Sequence, residues 1–582
     1  MNLLKNNLVP YKVPLISNEN IIHLNLNECS FSDDEKSKYN LNKNLHEKFL
    51  KSIADYNGVH TSNILVNFGS SEVLRILIHC ISFSRKTNIV YGIVIPPTYS
   101  MLYTLMSMHN INIVETLSEN IQTKIDEYNS ETVFVYIDRP NNPTGYMHEY
   151  AEIKSLVNKN KNILFIIDEA YIDFTVKKSC LDLVHDFNNV VIVRTMSKGF
   201  QMADYRIGYL VSYKNNVDNI SHFSNPLSIT KESMLQTIKA LTNKLPQFKE
   251  DFKMIMNNRE RFGISCRALP HVTKVIIGHG NFVIVEFDNT INVIDLIKRL
   301  EDNNISVRRK PDNCNSIRVT ISTINIMHLL YTKLQTILNH DKFNLYDGII
   351  LAAGMATRFK NGDEKIMTKC MVNLEDEPLL VKKIKLMIKY VETIYIVIGA
   401  DAEYVKNVLN QLIDEKTKNR IVYVYNKFYS EYNNWYSFLL GLESVNKDRD
   451  IIVNEGDAIF NKNLVNLVSK LSKNVFVCQK REIDDCEMKV IYNNEKITEM
   501  SKNTKDFDNI YGDYIGLARV SKDNIIPMIQ ELKLASSNDY YESIMVKAAP
   551  FQIMDTMIYS FINMNTQNDY KNVSKLFNIN DL

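Results

Sequence analysis

At 582 residues the chain is too long for one hydrophobic core, so two or more domains are expected. Lys+Arg 68 against Asp+Glu 67 leaves no net field to draw in nucleic acid or an anionic membrane, and 45% hydrophobic with 23% charged residues is the balance of an ordinary globular protein. Eight cysteines, none in a CxxC pair, signal neither a zinc site nor a disulfide framework. The opening MNLLKNNLVPYKVPLIS lacks the apolar run of a signal peptide and no later run approaches membrane-spanning length, so the expected compartment is the cytoplasm.

Along the chain, short β-branched runs alternate with helical patterns, which predicts an α/β fold with a mostly parallel sheet. NILV (63–66) is the first such run, and GSSE (69–72) then opens a helix whose free N–H groups suit a phosphate. Tyr99 follows in IPPTYS. TVFVYI (132–137) leads into the turn RPNNPTG, which contains Asn142. NILFII (162–167) ends at Asp168, where ligands of α/β sheets collect, and Tyr171 follows in DEAYIDF. VVIVR (190–194) precedes TMSKGFQMADYR, with Ser197, Lys198 and, eight residues after the lysine, Arg206. INIMHLLYTKLQTILNH (324–340) reads as a helix, and DGIILAAG (347–354) as a strand ending in a glycine turn. That fresh start places a domain boundary near 341–346, giving domains 1–342 and 343–582.

A lysine that is to bond an aldehyde cofactor needs a deprotonated amine in uncrowded surroundings. Pyridoxal 5'-phosphate further asks for a carboxylate at its ring nitrogen, donors for its phenolic oxygen, a flat group over its ring and a phosphate cradle. Asp168, Asn142 with Tyr171, Tyr99 and the GSSE turn offer one candidate for each need. Taken singly, Asp168 reads equally as a helix cap, the tyrosines as core aromatics and the two turns as plain turns. It is their order along one chain that joins them.

PNNPTG, DEAYIDF and SKGFxxADYRIGY together resemble the fold-type I aminotransferases of class I/II, in the subgroup of histidinol-phosphate aminotransferase and threonine-phosphate decarboxylase, over about residues 20 to 335. The resemblance implies a large and a small subdomain, with Lys198 bonded to the cofactor and Asp168 at its ring nitrogen. It further implies Asn142 and Tyr171 on the phenolic oxygen, Tyr99 over the ring, and Ser70, Ser71, Ser197 and Arg206 on the phosphate. ISVRRK and NSIRVTIST match the substrate-binding segments, implying Arg308 and Arg318, with Arg309 as the alternative to Arg308. Tyr39 stands near the tyrosine that family members send into a partner subunit, which implies a homodimer through the first domain.

In the second domain YDGIILAAGMATRF, KIMTKCMVNLEDEPLL, YNKFYSEYNNWYSFLLGL, IIVNEGDAIF and NDYYESIMVK are similar to the phosphocholine and aminoethylphosphonate cytidylyltransferases over about 347 to 560. This implies a Rossmann-like nucleotidyltransferase domain, with Gly354 in the nucleotide turn and Arg358 and Lys369 on the triphosphate. Asn434 and Ser437 would lie near the nucleotide, and Asp457 and Glu542 would be Mg2+ ligands, with Asp539 the rival of Glu542. Lys489, Lys502 and Asp513 fall in acceptor-side segments, and Trp435 reads either as a stacking group or as core. Ala356 and Thr368 replace a usual glycine and proline.

The two resemblances imply one bifunctional enzyme. An aminotransferase domain would make a small aminoalkyl phosphate or phosphonate, and a cytidylyltransferase domain would couple it to CMP from CTP with release of pyrophosphate. The alternatives are decarboxylation of an amino acid phosphate such as phosphoserine, a sugar 1-phosphate as acceptor, or one idle domain.

Overall fold

The structure, a computed structural model, describes residues 4–6, 8, 42–84, 89–128, 132–310, 315–339, 346–355, 368–374, 376–480, 487–504 and 509–576. Tyr39 and Arg358 lie outside the described residues, as do Ala356 and residues 341–345 of the expected junction. The chain divides into two compact units, Met1–Arg259 with Ile276–Ile284, and Glu260–Val275 with Val285–Leu582.

The first unit is built on seven strands: β1 (Ile64–Phe68), β2 (Val90–Val94), β3 (Asn112–Glu115), β4 (Thr132–Asp138), β5 (Leu164–Asp168), β6 (Val190–Thr195) and β7 (Ile207–Ser212). They lie in the order β1-β7-β6-β5-β4-β2-β3. The pairs from β6 through β3 are parallel, whereas β7 runs antiparallel to both β6 and β1. The expected mostly parallel sheet is therefore present. β5 and β6 are buried along their whole length, which is why LFIID and VVIVRT are near-continuous apolar runs rather than alternating ones. α1 (Lys43–Asn57) covers one face and α2 (Ser70–Phe83) the other; α2 begins where the sheet ends, at Gly69 with φ +85°.

Val272–Ile277, Phe282–Phe287, Ser316–Thr320 and Arg308–Arg309 form a four-stranded sheet in that order, and the helix Ile324–Leu338 follows. The largest sheet of the second unit has nine strands. Its parallel part runs Ile421–Tyr425, Val391–Ile398, Tyr346–Ala352, Asp450–Glu455, so the third, second, first and fourth strands in chain order lie side by side. Ile510–Val520 continues the sheet antiparallel to Asp450–Glu455. Cys80, Cys180, Cys266, Cys370 and Cys478 are free and buried. Among the described residues no helix is long and apolar enough to cross a membrane.

Candidate active sites

In the first unit the candidate residues gather at the carboxyl edge of β4, β5 and β6. Asp168, the last residue of β5, is only 6% exposed and accepts hydrogen bonds from the Tyr136 hydroxyl (2.8 Å) and the Ala170 N–H (3.0 Å). Burial pushes its carboxyl up to about 6, while the charge of Lys198, among other neighbours, pulls it back down. Lys198 stands in the turn after β6, exposed, with Nζ 5.8 Å from the centre of the Tyr171 ring. The Tyr171 ring meets Phe282 edge-on at 5.3 Å. The Lys198 turn is held from beneath: Ser197 N–H donates to Thr195 Oγ1 (3.1 Å), and a Cβ at Gly199 would stand 2.6 Å from Asp173 Oδ2. Asn142 is fixed by its own backbone, whose N–H donates to Asp138 Oδ2 (3.0 Å). The Asn141 amide spans from Asp138 Oδ1 to the Pro97 carbonyl, 2.8 Å each.

The other end of this site is a cradle. A Cβ added at Gly69 would lie 2.5 Å from Arg206 Nη2, so only glycine lets the guanidinium approach the first N–H groups of α2, where Ser70 and Ser71 stand. A Cβ at Gly208 would collide with the backbone of Gly69 and Ser70, so β7 also needs glycine to pass this close. Arg206 has φ +54°, a left-handed conformation that costs a non-glycine residue about 1 kcal/mol or more and that recurs at functional sites. Ser71 Oγ and Tyr99 OH are 3.0 Å apart; burial pushes the Tyr136 phenol well up, Asp168 and Asp138 raise it further, and Tyr99 is close enough to add to this. The cradle and the carboxylate therefore belong to one site. A helix terminus with a basic fork at one end, a buried acid at the other and an amine beside it fit a flat, phosphate-bearing aldehyde.

The sequence reading missed two acids here. Asp138, whose carboxyl burial pushes up to about 7, ties down the PNNPTG turn. Glu169 is 1% exposed and takes the Arg194 guanidinium at 2.7 Å, bracing β5 against β6. The only signal for Asp138 in the letters is a carboxylate ending the run TVFVYID; its place beside Asp168 comes from the pairing of β4 with β5.

Arg308 and Arg318 are register partners across an antiparallel pair, while Arg309 faces Ile317. Opposed residues share a face of the sheet, so Arg308 rather than Arg309 stands beside Arg318. Arg308 is exposed and Arg318 half-buried.

The second unit carries a cavity of about 360 Å³ at the carboxyl ends of Tyr346–Ala352 and Asp450–Glu455. These two strands flank the point where the parallel strand order reverses, the crevice in which open α/β sheets bind ligands. Gly354, Lys369, Asn434, Ser437, Asp457, Lys502 and Glu542 all line it. Lys369 Nζ donates to Asp457 Oδ2 (2.9 Å), and Asn434 Nδ2 reaches Glu542 Oε2 at 3.3 Å. Glu542 is buried and Glu455 beside it half-buried; desolvation raises both carboxyls, and the charge of Glu542 raises Glu455 further. Sequence reasoning missed Glu455, although it stands two residues before Asp457 in VNEGD. It also missed Lys383, a buried amine that donates to Asn454 Oδ1 (2.6 Å) and that burial pushes down to about 7. Among the described residues no group of three His, Cys, Asp or Glu is placed to hold a metal.

Four other candidates fall outside the cavity lining. Lys489 and Asp513 are buried register partners, and Lys489 Nζ donates to the Lys502 carbonyl (2.9 Å). Asp539 accepts from Ser536 N–H (2.8 Å) and so closes a turn. Trp435 is 6% exposed and packs between Tyr432 and Tyr436.

Comparison with known proteins matches two separate stretches of the chain. The model for the family described as aminotransferase class I and II matches residues 19–331, and one described as a domain of unknown function, DUF6564, matches 365–517. A histidinol-phosphate aminotransferase of Flavobacterium psychrophilum is 30% identical over 330 residues, spanning 55% of this chain and 91% of the relative. One from Brachyspira hyodysenteriae is 30% identical over 295 residues, 50% of this chain and 81% of the relative. A dihydroxyacetone phosphate transaminase of Campylobacter jejuni is 29% identical over 360 residues, 56% and 93%. The solved histidinol-phosphate aminotransferase of Clostridium acetobutylicum aligns with TM-score 0.46 at 23% identity, over 51% of this chain and 90% of that one.

Proposed function

Since the chain belongs to the aminotransferase class I and II family, we propose that residues 1–342 form a pyridoxal 5'-phosphate-dependent enzyme acting on a small phosphate- or phosphonate-bearing substrate. The observation that carries this is the buried Asp168 carboxylate within electrostatic reach of Lys198, on the same sheet edge as the Gly69–Arg206 cradle. Pyridoxal phosphate, when bound, supplies an electron sink for chemistry at the substrate's α-carbon. Asp168 would keep a positive charge on the cofactor's ring nitrogen, and Tyr136 and the Ala170 N–H keep Asp168 oriented. Lys198 would hold the cofactor through its Nζ, and the same amine is the group that would move a proton at the substrate's α-carbon. Asn142 and Tyr171 would serve the phenolic oxygen, Tyr99 the ring, and Ser70, Ser71, Ser197 and Arg206 the phosphate. Arg308 and Arg318, two forks side by side on one face of their sheet, are the candidates for the anionic end of the substrate. The names of the relatives, histidinol-phosphate aminotransferase and dihydroxyacetone phosphate transaminase, support both the phosphate and transamination over decarboxylation.

Residues 343–582 are the second catalyst, a Rossmann-like nucleotidyltransferase joining the amine product to CMP from CTP. The support is the cavity at the reversal of strand order, with Gly354 in its wall and Lys369, Asp457 and Glu542 lining it. Arg358 and Lys369 would neutralise triphosphate charge, Lys502 would serve the acceptor, and Asn434 and Ser437 would approach the nucleotide. Asp457 and Glu542 would be the donors for Mg2+, which would take the rest of its ligands from phosphate and water and would withdraw charge from the leaving pyrophosphate. Arg308, Arg318 and the cavity lysines would then handle related anionic groups in successive reactions of one chain.

The deciding experiment incubates the full-length protein with pyridoxal phosphate, CTP, Mg2+ and either phosphonoacetaldehyde plus an amino donor or phosphoserine. Keto-acid formation with a CMP-linked amine supports the account. Carbon dioxide release from phosphoserine selects the decarboxylase alternative. Absence of any nucleotide product in both arms overturns the assignment of the second catalyst.

A further inference from the structure

The compact units do not follow the boundary between the two family matches. The second unit takes in Glu260–Val275 and everything from Val285, so the last part of the aminotransferase match, with Arg308 and Arg318, belongs to the same compact body as the region beyond residue 346. The contacts that make it one body are buried and polar, hence specific in geometry. Arg261 pairs with Asp555 at 2.7 Å with side chains 12% and 0% exposed, and its guanidinium also donates to the Met557 carbonyl (2.7 Å). The other oxygen of Asp555 accepts from the Tyr511 hydroxyl (2.7 Å), and the Asp555 N–H donates to Ser265 Oγ (3.0 Å). Lys473 Nζ donates to the carbonyls of Arg267 (2.8 Å) and Val272 (2.9 Å). Val272 begins the edge strand of the four-stranded sheet that also holds Arg308 and Arg318. From the helix Ile324–Leu338, the Gln335 amide donates to the Leu467 carbonyl (2.8 Å), and His328 Nε2 meets the Tyr559 hydroxyl at 3.2 Å.

We propose that the C-terminal region has a second role, as the platform that holds the Arg308–Arg318 sheet in position. In this role Asp555 is a positioning residue for the aminotransferase reaction, although it touches neither cofactor nor substrate. The physical reason is that a close-packed interior transmits displacement rather than absorbing it, and that breaking a buried charge pair leaves the orphaned group to force a local rearrangement. The inference rests on reading Arg308 and Arg318 as the substrate's anion contacts, and the test separates the two ideas.

Full-length Asp555→Asn, which keeps shape and loses charge, is compared with Arg318→Ala and with the milder Tyr511→Phe. Three quantities are read: KM for the anionic amino substrate, kcat with cofactor affinity, and hydrogen exchange over residues 316–338. Asp555→Asn should raise KM about 10-fold and speed exchange over 316–338, with kcat and cofactor affinity within about two-fold; Tyr511→Phe should do the same to a smaller degree. If Arg318→Ala raises KM while neither Asp555→Asn nor Tyr511→Phe changes KM or exchange, the platform role is wrong. If Arg318→Ala leaves KM unchanged, the substrate reading of the arginines fails, and exchange over 316–338 decides the platform role by itself. If Asp555→Asn does not fold, unchanged KM and exchange in Tyr511→Phe would overturn the proposal.

Discussion

Replacing Asp168 with asparagine takes a negative charge out of a nearly closed site and should separate stability from activity. Burial holds this carboxyl at about 6 against an ordinary 3.8. A folded-state pKa above the unfolded one means that the native chain binds the proton more tightly. The group therefore costs nothing below about pH 3.8, costs progressively more as pH rises through 6, and costs about 3 kcal/mol at pH 7. Asparagine removes that cost but has one acceptor oxygen where aspartate uses two, for Tyr136 and for Ala170. One donor is orphaned at about 1 kcal/mol, leaving a net gain of about 2 kcal/mol. Cofactor-free Asp168→Asn should then melt roughly 3–6 °C above the parent at pH 7 and no higher than the parent at pH 4. With saturating pyridoxal phosphate the order should reverse, because a cation at the ring nitrogen relieves the parent's buried charge, and kcat of the variant should fall about 100-fold or more. Differential scanning calorimetry of both proteins at both pH values, with and without cofactor, reads all of this. An apo variant that melts below the parent at pH 7, or one that keeps parental kcat, would refute the electrostatic reasoning.

Gly69→Ala places a methyl 2.5 Å from Arg206 Nη2 at φ +85°, and should weaken pyridoxal phosphate binding about 10-fold in an absorbance titration while leaving Lys198 reactive. Asp457→Asn removes the negative charge beside Lys369, and should lower CTP-dependent pyrophosphate release about 100-fold with transamination unchanged, measured in a coupled phosphate assay. Gly456→Ala would put a Cβ 2.7 Å from the Leu351 carbonyl in the cavity wall, and should destabilise the second unit by about 1–3 kcal/mol in urea denaturation.

The first site was legible because its residues sit in contiguous motifs at strand ends. Asp168 closes β5, the Lys198 turn follows β6 and GSSE opens α2, each where the periodicity of the letters changes. Strand cores were legible for the same reason: TVFVYI and VVIVR fall within β4 and β6. What stayed hidden depends on register and long-range approach. Asp138 matters only because β4 lies beside β5, and β7 reaches the Gly69 turn only by running antiparallel between β1 and β6. Glu455 reads as a strand residue until the sheet places it against Glu542. The polar seam through Asp555 joins residues 290 positions apart, the Asp555 N–H and the Ser265 hydroxyl among them, beyond any local pattern.

The account turns on Lys198. Full-length protein loaded with pyridoxal phosphate, reduced with borohydride, digested and mapped by mass spectrometry should carry the reduced cofactor mass on the peptide containing Lys198, and Lys198→Ala should carry none. Cofactor mass on a different lysine, or none on the parent protein, would contradict it.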